Sequence, residues 1–346
     1  MKKSLQQVSG YAFLSDELAL SPVDIFIENG VIRAIEDNSR VPEVWVCPAL
    51  FNTHTHLGDT IAMDCGTTGN LEALVTPPDG LKHRLLRAAS RQDLVSGMRA
   101  GMEGMIGSGT AGCADFREGG VEGVLALEEA AAGLPFFPFV FGREGGESVA
   151  GGLGISSTRD IPDAERLVGD AKRAGKKIAF HAGERDADDV DAALAYEPDL
   201  LIHMTHATKK QIRECAEQSI PVAVCPRSNW TLGVTSSSRH PPLALMQELG
   251  CTICLGTDNA MFVAPDLFSE MAFVSTVYPL GPAAVLRAAV RGSAVFGRSF
   301  FIRQGSRANL FVVDPARSAL RFSRDPLATL VKRTNTAAIR TNVFSL

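Results

Sequence analysis

The histidines of this chain are placed where chemistry would need them. His54 and His56 close the apolar run WVCPALFNTHTH (45–56), His181 stands near the end of KKIAFHAG (176–183), and His203 and His206 close DLLIHMTH (199–206). Asp258 closes CTICLGTD (251–258), and only His83 and His240 fall in helical or loop sequence. Successive side chains of a strand point to opposite faces, so His-Thr-His sends both imidazoles the same way and one strand supplies two nitrogen ligands. A lone strand-end histidine is more often satisfied by a carbonyl or carboxylate than by a metal. It is the joint pattern of H-x-H, a distant histidine and a distant aspartate that points to zinc or iron.

Such residues need elements that bring them to one place. Between about residue 48 and residue 301, eight short apolar runs alternate with helical stretches. The remaining runs are TAGCADF (110–116), PFFPFVF (135–141), GLGIS (152–156) and IPVAVCP (220–226). Helical candidates are LKHRLLRAASRQDLVSGMRAGMEGMIGSG, VEGVLALEEAAAG, IPDAERLVGDAKRAG and TKKQIRECAEQS, the last with Thr208 as N-cap. Eight strand–helix units in roughly 250 residues is the arithmetic of a (β/α)8 TIM barrel, an α/β fold whose active sites lie at the carboxyl ends of the strands. A doubly wound sheet is the alternative. The two chain ends differ: VDIFIENGVIRAIED reads as a hairpin turning at Asn29-Gly30, and RANLFVVDPARSALRF and AAIRTNVFSL read as strands, with no helix at either end. Neither end would bury a core alone. The expected organisation is therefore a small β-sandwich from residues 1–48 and 303–346 beside a barrel of residues 49–302.

Composition narrows the function classes. The 346 residues are 45% hydrophobic and 21% charged, with a mean hydropathy of +0.08, as in globular proteins. A net charge of −5 offers no field for nucleic acid or an anionic membrane surface. No apolar run reaches membrane-spanning length and the first residues lack a secretion signal, so a cytoplasmic protein is expected, with a small molecule as partner and self-association left open. The seven cysteines have no framework spacing and read as reduced core residues.

The segments FNTHTHLGD, HAGE, IHMTH, CPRSN and LGTDN, in this order and at barrel spacing, resemble the strand-end motifs of the amidohydrolase superfamily, most closely its deaminase and chlorohydrolase branch. The resemblance spans almost the whole chain. It implies that His54, His56, His181 and Asp258 hold one divalent transition metal, Zn2+ first and Fe2+ second, and that His203 contacts the attacking water or a substrate heteroatom. Three imidazoles and a carboxylate leave a position for water, whose pKa falls toward about 7. Asp258 would also accept the water's proton. Glu184, three residues after His181, would pass a proton to a ring nitrogen, unless it is merely a solvated charge opening ERDADDVD. In some members a carboxylated lysine at the end of strand four, or a glutamate there, bridges a second metal; neither GLGISSTRD nor FVFGRE offers a lysine, which favours a single metal. Together these features imply a metal-dependent aminohydrolase acting on a nucleobase, nucleoside or pterin. Ring opening, dechlorination or amide hydrolysis on the same fold remains the alternative, as does an idle metal-binding homologue, against which Glu184 argues.

Substrate recognition is less legible. Arg117, Glu118, Arg143 and Arg227 follow strand ends and would project polar groups toward the mouth, although salt bridges between loops explain them equally well. His206 would share the role of His203 or orient a neighbour, and Trp230 would stack on a planar ring or pack in the core. Val224 stands where several superfamily members carry histidine, so one purine or ribose contact is expected to be missing.

Overall fold

A computed structural model describes residues 5–66 and 71–345. In chain order its strands are β1 (Leu5–Leu14), β2 (Ala19–Glu28), β3 (Val31–Asp37), β4 (Trp45–Pro48), β5 (Leu50–His56), β6 (Thr110–Arg117), β7 (Phe137–Gly142), β8 (Gly152–Ile155), β9 (Lys177–Ala182), β10 (Leu200–His203), β11 (Val222–Val224), β12 (Ile253–Leu255), β13 (Asp258–Asn259), β14 (Asn309–Val313) and β15 (Ile339–Phe344).

The eight apolar runs all become strands of one parallel sheet, in the order β12-β11-β10-β9-β8-β7-β6-β5-β13. Its two outer strands are pieces of a single run of chain, interrupted only at Gly256 and Thr257. Gly256 N donates to Val224 O (3.0 Å) and Thr257 N to His54 O (2.9 Å), so the sheet curls until its ends meet. Glycine is required at this seam, because a Cβ at Gly256 would stand 2.7 Å from His54 Cβ. A curled, all-parallel sheet interleaved with helices is consistent with a TIM-like barrel, whose carboxyl ends collect the catalytic side chains.

The chain ends share a second sheet, of order β15-β14-β4-β1-β2-β3. Asn29 (φ 52°) and Gly30 (φ 74°) both take the left-handed conformation that a tight two-residue hairpin requires. The arrangement differs from the sandwich expected: one ladder runs through all six strands, and Ile32 N donates to Ser306 O (2.9 Å) as the sheet curls back toward the approach to β14. Val23, Ile25, Ile32, Val46, Leu310 and Val312 pack inside that curl. Phe13, Leu18 and Trp45 instead join the buried cluster that contains Leu50, Phe51 and Phe116 of the parallel sheet.

Two helical readings are corrected. The long helical stretch after β5 is two helices, Leu81–Ala88 and Arg91–Gly107, because Ser90 accepts a hydrogen bond from Asp93 N (3.1 Å) and starts the second. The C-terminal region does contain a helix, Pro326–Arg333, capped by Asp325, while residues after β14 form short 3-10 turns capped by Asp314 and Ser318. Thr208 behaves as expected, forming a reciprocal capping box with Gln211. Of the seven free cysteines six are buried and Cys65 is exposed. No described helix is long and apolar enough to cross a membrane.

Candidate metal centre

β5 and β13 place the first three candidate ligands. Their parallel register sets Asp258 beside Thr55 and Asn259 beside His56, so the aspartate lies between the two imidazoles of the H-x-H pair. Asp258 Oδ1 is 3.0 Å from His54 Nε2 and 3.6 Å from His56 Nε2. Its other oxygen, Oδ2, accepts from Ser228 Oγ at 2.5 Å. His181 on β9 and His203 at the end of β10 complete the ring of imidazoles, with centroids 4.8 Å and 5.7 Å from that of His54. Glu184 leaves β9 two residues after its end and brings Oε1 to 3.6 Å from His203 Nε2.

Ligand atoms within 4.8 Å of one another form three overlapping groups: His54, His56 and Asp258; His54, His181 and His203; and Glu184, His203 and Asp258. The backbone is bent to achieve this. His203 (φ 73°), Met204 (φ 50°) and Asp258 (φ 61°) adopt left-handed conformations that side chains other than glycine take at a cost of about 1–3 kcal/mol each.

Burial sets the charges. It lowers His54 to about 4 and His56 to about 3, and holds His181 well below its ordinary value with the help of the Arg143 charge. Burial alone would raise Asp258, but the His54 hydrogen bond and the surrounding imidazoles hold it well below the usual carboxylate range. Glu184 is raised by burial. The centre therefore presents neutral imidazoles and an ionised aspartate, which is the protonation state metal ligands require. His181 Nδ1 lies 3.0 Å from Ile155 O, which orients the ring, and buried His54 Nδ1 and His203 Nδ1 have no hydrogen-bond partner.

Behind this centre lies an ionic cluster, most of which the sequence did not announce. Lys82 Nζ is 3.0 Å from Asp59 Oδ2 and 2.9 Å from Glu118 Oε1. Glu118 Oε1 also meets His56 Nδ1 (2.9 Å) and Arg143 Nη1 (3.2 Å), while its Oε2 takes Arg117 Nη2 (2.8 Å). Arg117 Nη1 continues to Asp115 Oδ1 (3.3 Å), whose Oδ2 accepts from Leu57 N (2.6 Å). Asp59, Lys82, Asp115 and Ser228 were not singled out from the sequence. The usable signals were Asp59 three residues past the H-x-H pair, the alternating charges of ADFRE at the end of β6, and a serine inside CPRSN.

The residues expected at the mouth separate. Arg143 faces the centre, its Nη2 3.2 Å from His181 Nδ1, whereas Arg117 and Glu118 belong to the ionic cluster. Arg227 is held by Glu270 (2.6 Å) and by the carbonyls of Ala264 and Asp266. Trp230 donates to Tyr278 Oη (3.0 Å), and His206 Nε2 lies 3.2 Å from Val234 O, away from the imidazole ring set.

Comparison with known proteins agrees with this geometry. Residues 45–150 match the amidohydrolase family and residues 152–300 the adenosine deaminase family. A putative aminohydrolase of Methanothermobacter thermautotrophicus is 33% identical over 96% of this chain and 95% of its own. A 5-methylthioadenosine/S-adenosylhomocysteine deaminase of Halobacterium salinarum is 27% identical over 89% of this chain and 84% of its own. A zinc-bound adenosine deaminase from Xanthomonas campestris shares the fold, with a TM-score of 0.74, 18% identity and coverage of 96% of this chain and 90% of that one. The chain belongs to the amidohydrolase family, in its deaminase branch, and is a hydrolase of carbon–nitrogen bonds.

Proposed function

We propose that this protein removes the exocyclic amine of a nitrogen heterocycle by hydrolysis, with 6-aminopurines as the first class to test, since the names of its relatives point there. The observation that carries the reading is the convergence of neutral His56 and His181, ionised Asp258, Glu184 and His203 on one small cleft, with neutral His54 buried directly behind Asp258. The donor set fits one divalent metal, zinc first and iron(II) second, held by His54, His56, His181 and Asp258. When bound, it would act as a Lewis acid and bring the pKa of a water toward about 7.

The protein's own groups do the rest. Asp258, fixed by Ser228, takes the proton that the attacking water releases. Glu184, raised by burial and therefore able to carry a proton, delivers it to the ring nitrogen as the C–O bond forms; the proton taken up by Asp258 then passes to the departing amine as the C–N bond breaks, and the proton left on the attacking oxygen returns to Glu184 as the C=O bond forms. His203 Nε2, facing Glu184, positions the oxygen. Water and the amine substrate thus become ammonia and the oxo heterocycle. Among the residues expected to read the substrate, Arg143 retains that role in this proposal, since it lines the cleft and keeps Nε unpartnered although its Nη1 meets Glu118, whereas Arg117, Glu118, Arg227, Trp230 and His206 are engaged within the protein. The same reading assigns residues 49–302 to catalysis and residues 1–48 with 303–346 to support, in a cytoplasmic enzyme. Ammonia release from a panel of purines, pyrimidines, pterins and their nucleosides, together with metal analysis, tests it. The expected result is about one metal per chain and ammonia from an amine-bearing heterocycle. Absence of ammonia across the panel from metal-loaded protein overturns it.

A further inference from the structure

The cleft at the metal centre is small for the substrates of such a reaction. Its free volume is about 60 Å3, room for a few waters where each needs about 10–15 Å3. Pockets that hold whole ligands measure about 300–1,000 Å3. A second cavity of about 410 Å3 shares Pro77, Arg143 and Ser156 with the cleft and lies between the chain segments that follow β7 and β8. It is the neighbour with ligand-sized volume.

The chemistry of that cavity is one-sided. Leu153, Ile155, Ile161 and Leu167 form its apolar wall. Most of the ionic groups that also line it have partners within the protein. Glu144 accepts from Gly119 N (2.9 Å), Glu147 accepts from Gly145 N (2.9 Å), Arg166 pairs with Asp163 (3.2 Å) and Asp170 (3.3 Å), and Glu118 is the hub of the ionic cluster. Glu144 and Glu147 hold backbone donors and no cation, so apart from Arg143 at the wall shared with the cleft the uncompensated charge of the lining is negative, and an anionic substituent is disfavoured there. Two polar atoms at the shared wall, Ser156 Oγ and Arg143 Nε, are buried and without a hydrogen-bond partner. Burying such groups unpaired is costly, so they are suited to meet a polar atom at the junction between a heterocycle and its substituent.

We propose that the substrate is an extended molecule: the amine-bearing edge of its heterocycle enters the cleft, and a bulky uncharged substituent fills the cavity walled by Leu153, Ile155, Ile161 and Leu167. The chemistry at the cleft rests on the deaminase reading above; the occupancy of the cavity does not. A free nucleobase would leave the apolar wall uncovered and is the poorer substrate.

The test uses zinc-loaded protein with adenine and cytosine, each free and as 9-benzyladenine or 1-benzylcytosine, and with 9-(carboxymethyl)adenine as the charged counterpart. Ammonia release gives kcat/KM and calorimetry gives Kd. The benzyl compound of the accepted base should exceed the free base at least tenfold in kcat/KM, with the carboxymethyl compound well below it. Ile161→Trp and Leu167→Trp, which fill the cavity from different positions, should each reduce the benzyl-to-free ratio at least tenfold. Metal content and thermal melting identify a variant that fails to fold, in which case Leu167→Phe replaces it. Benzyl compounds that bind, lose that binding in the tryptophan variants and release no ammonia leave the cavity assignment standing and sink the deaminase reading. Ammonia released from free and benzylated base within twofold of each other sinks the cavity assignment and leaves deamination standing. Neither binding nor ammonia from any of the compounds overturns both.

Discussion

Two buried polar clusters lie side by side at the carboxyl ends of the parallel strands, and they meet the cost of burial in opposite ways. In the imidazole cluster, burial keeps His54, His56 and His181 neutral, with ring-nitrogen lone pairs that can serve as metal donors. In the ionic cluster, Lys82, Arg117 and Arg143 offset Asp59, Asp115 and Glu118, and most of the contacts are internal. Charges paired with one another hold geometry; neutral imidazole donors gathered on one point suit a metal. Glu118 Oε1, 2.9 Å from both Lys82 Nζ and His56 Nδ1, is where one cluster braces the other.

Substitutions in each cluster should break this contrast in recognisable ways. The largest effect is expected from His181→Ala, which removes a proposed ligand: metal content and turnover should disappear together, and a variant that keeps both would remove His181 from the centre. Next, Glu184→Gln retains the shape but not the transferable proton. Turnover should fall by about 10²- to 10⁴-fold with metal content unchanged, and near wild-type rates would pass the proton-shuttle role to His203.

In the ionic cluster the readout should be stability. Lys82→Met leaves Asp59 and Glu118 without their shared cation, and a loss of about 3–5 kcal/mol is expected by denaturant titration, the usual penalty for breaking a buried pair. Adding Asp59→Asn to Lys82→Met should recover part of the loss, since it removes a carboxylate left unpaired. If Lys82→Met were as stable as the parent but lost turnover, the lysine would belong with the reacting groups instead. The smallest effect calibrates the others: Thr208→Ala, at a helix cap outside both clusters, should cost about 1 kcal/mol without changing metal content or turnover.

The difference between the clusters also explains what could be read in advance. The candidate imidazole ligands announced themselves because each stands at or near the end of an apolar run and a strand's period of two dictates where its side chains point. Lys82 carried no comparable signal. It lies in the first turn of a short helix within the long connection from β5 to β6, and its partners arrive from two other segments. His206, three residues from His203, was read as sharing that role or orienting a neighbour; the left-handed turn at His203 and Met204 carries the chain away and leaves it against Val234 O.

Local pattern, by itself, determined the eight parallel strands, the Asn29-Gly30 turn, the Thr208 cap and the positions of His54, His56, His181, His203 and Asp258 at strand ends. Each depends on periodicity or on residues a few positions apart. Only the tertiary structure decided that Gly256 lets the last strand pass His54, that the module shared by the two chain ends is a single curled ladder of six strands, and that Arg227 and Trp230 spend their hydrogen bonds on Glu270 and Tyr278. Those outcomes depend on groups far apart in sequence competing for the same partners, and a partner's identity is settled only when the packed chain brings it within about 3 Å.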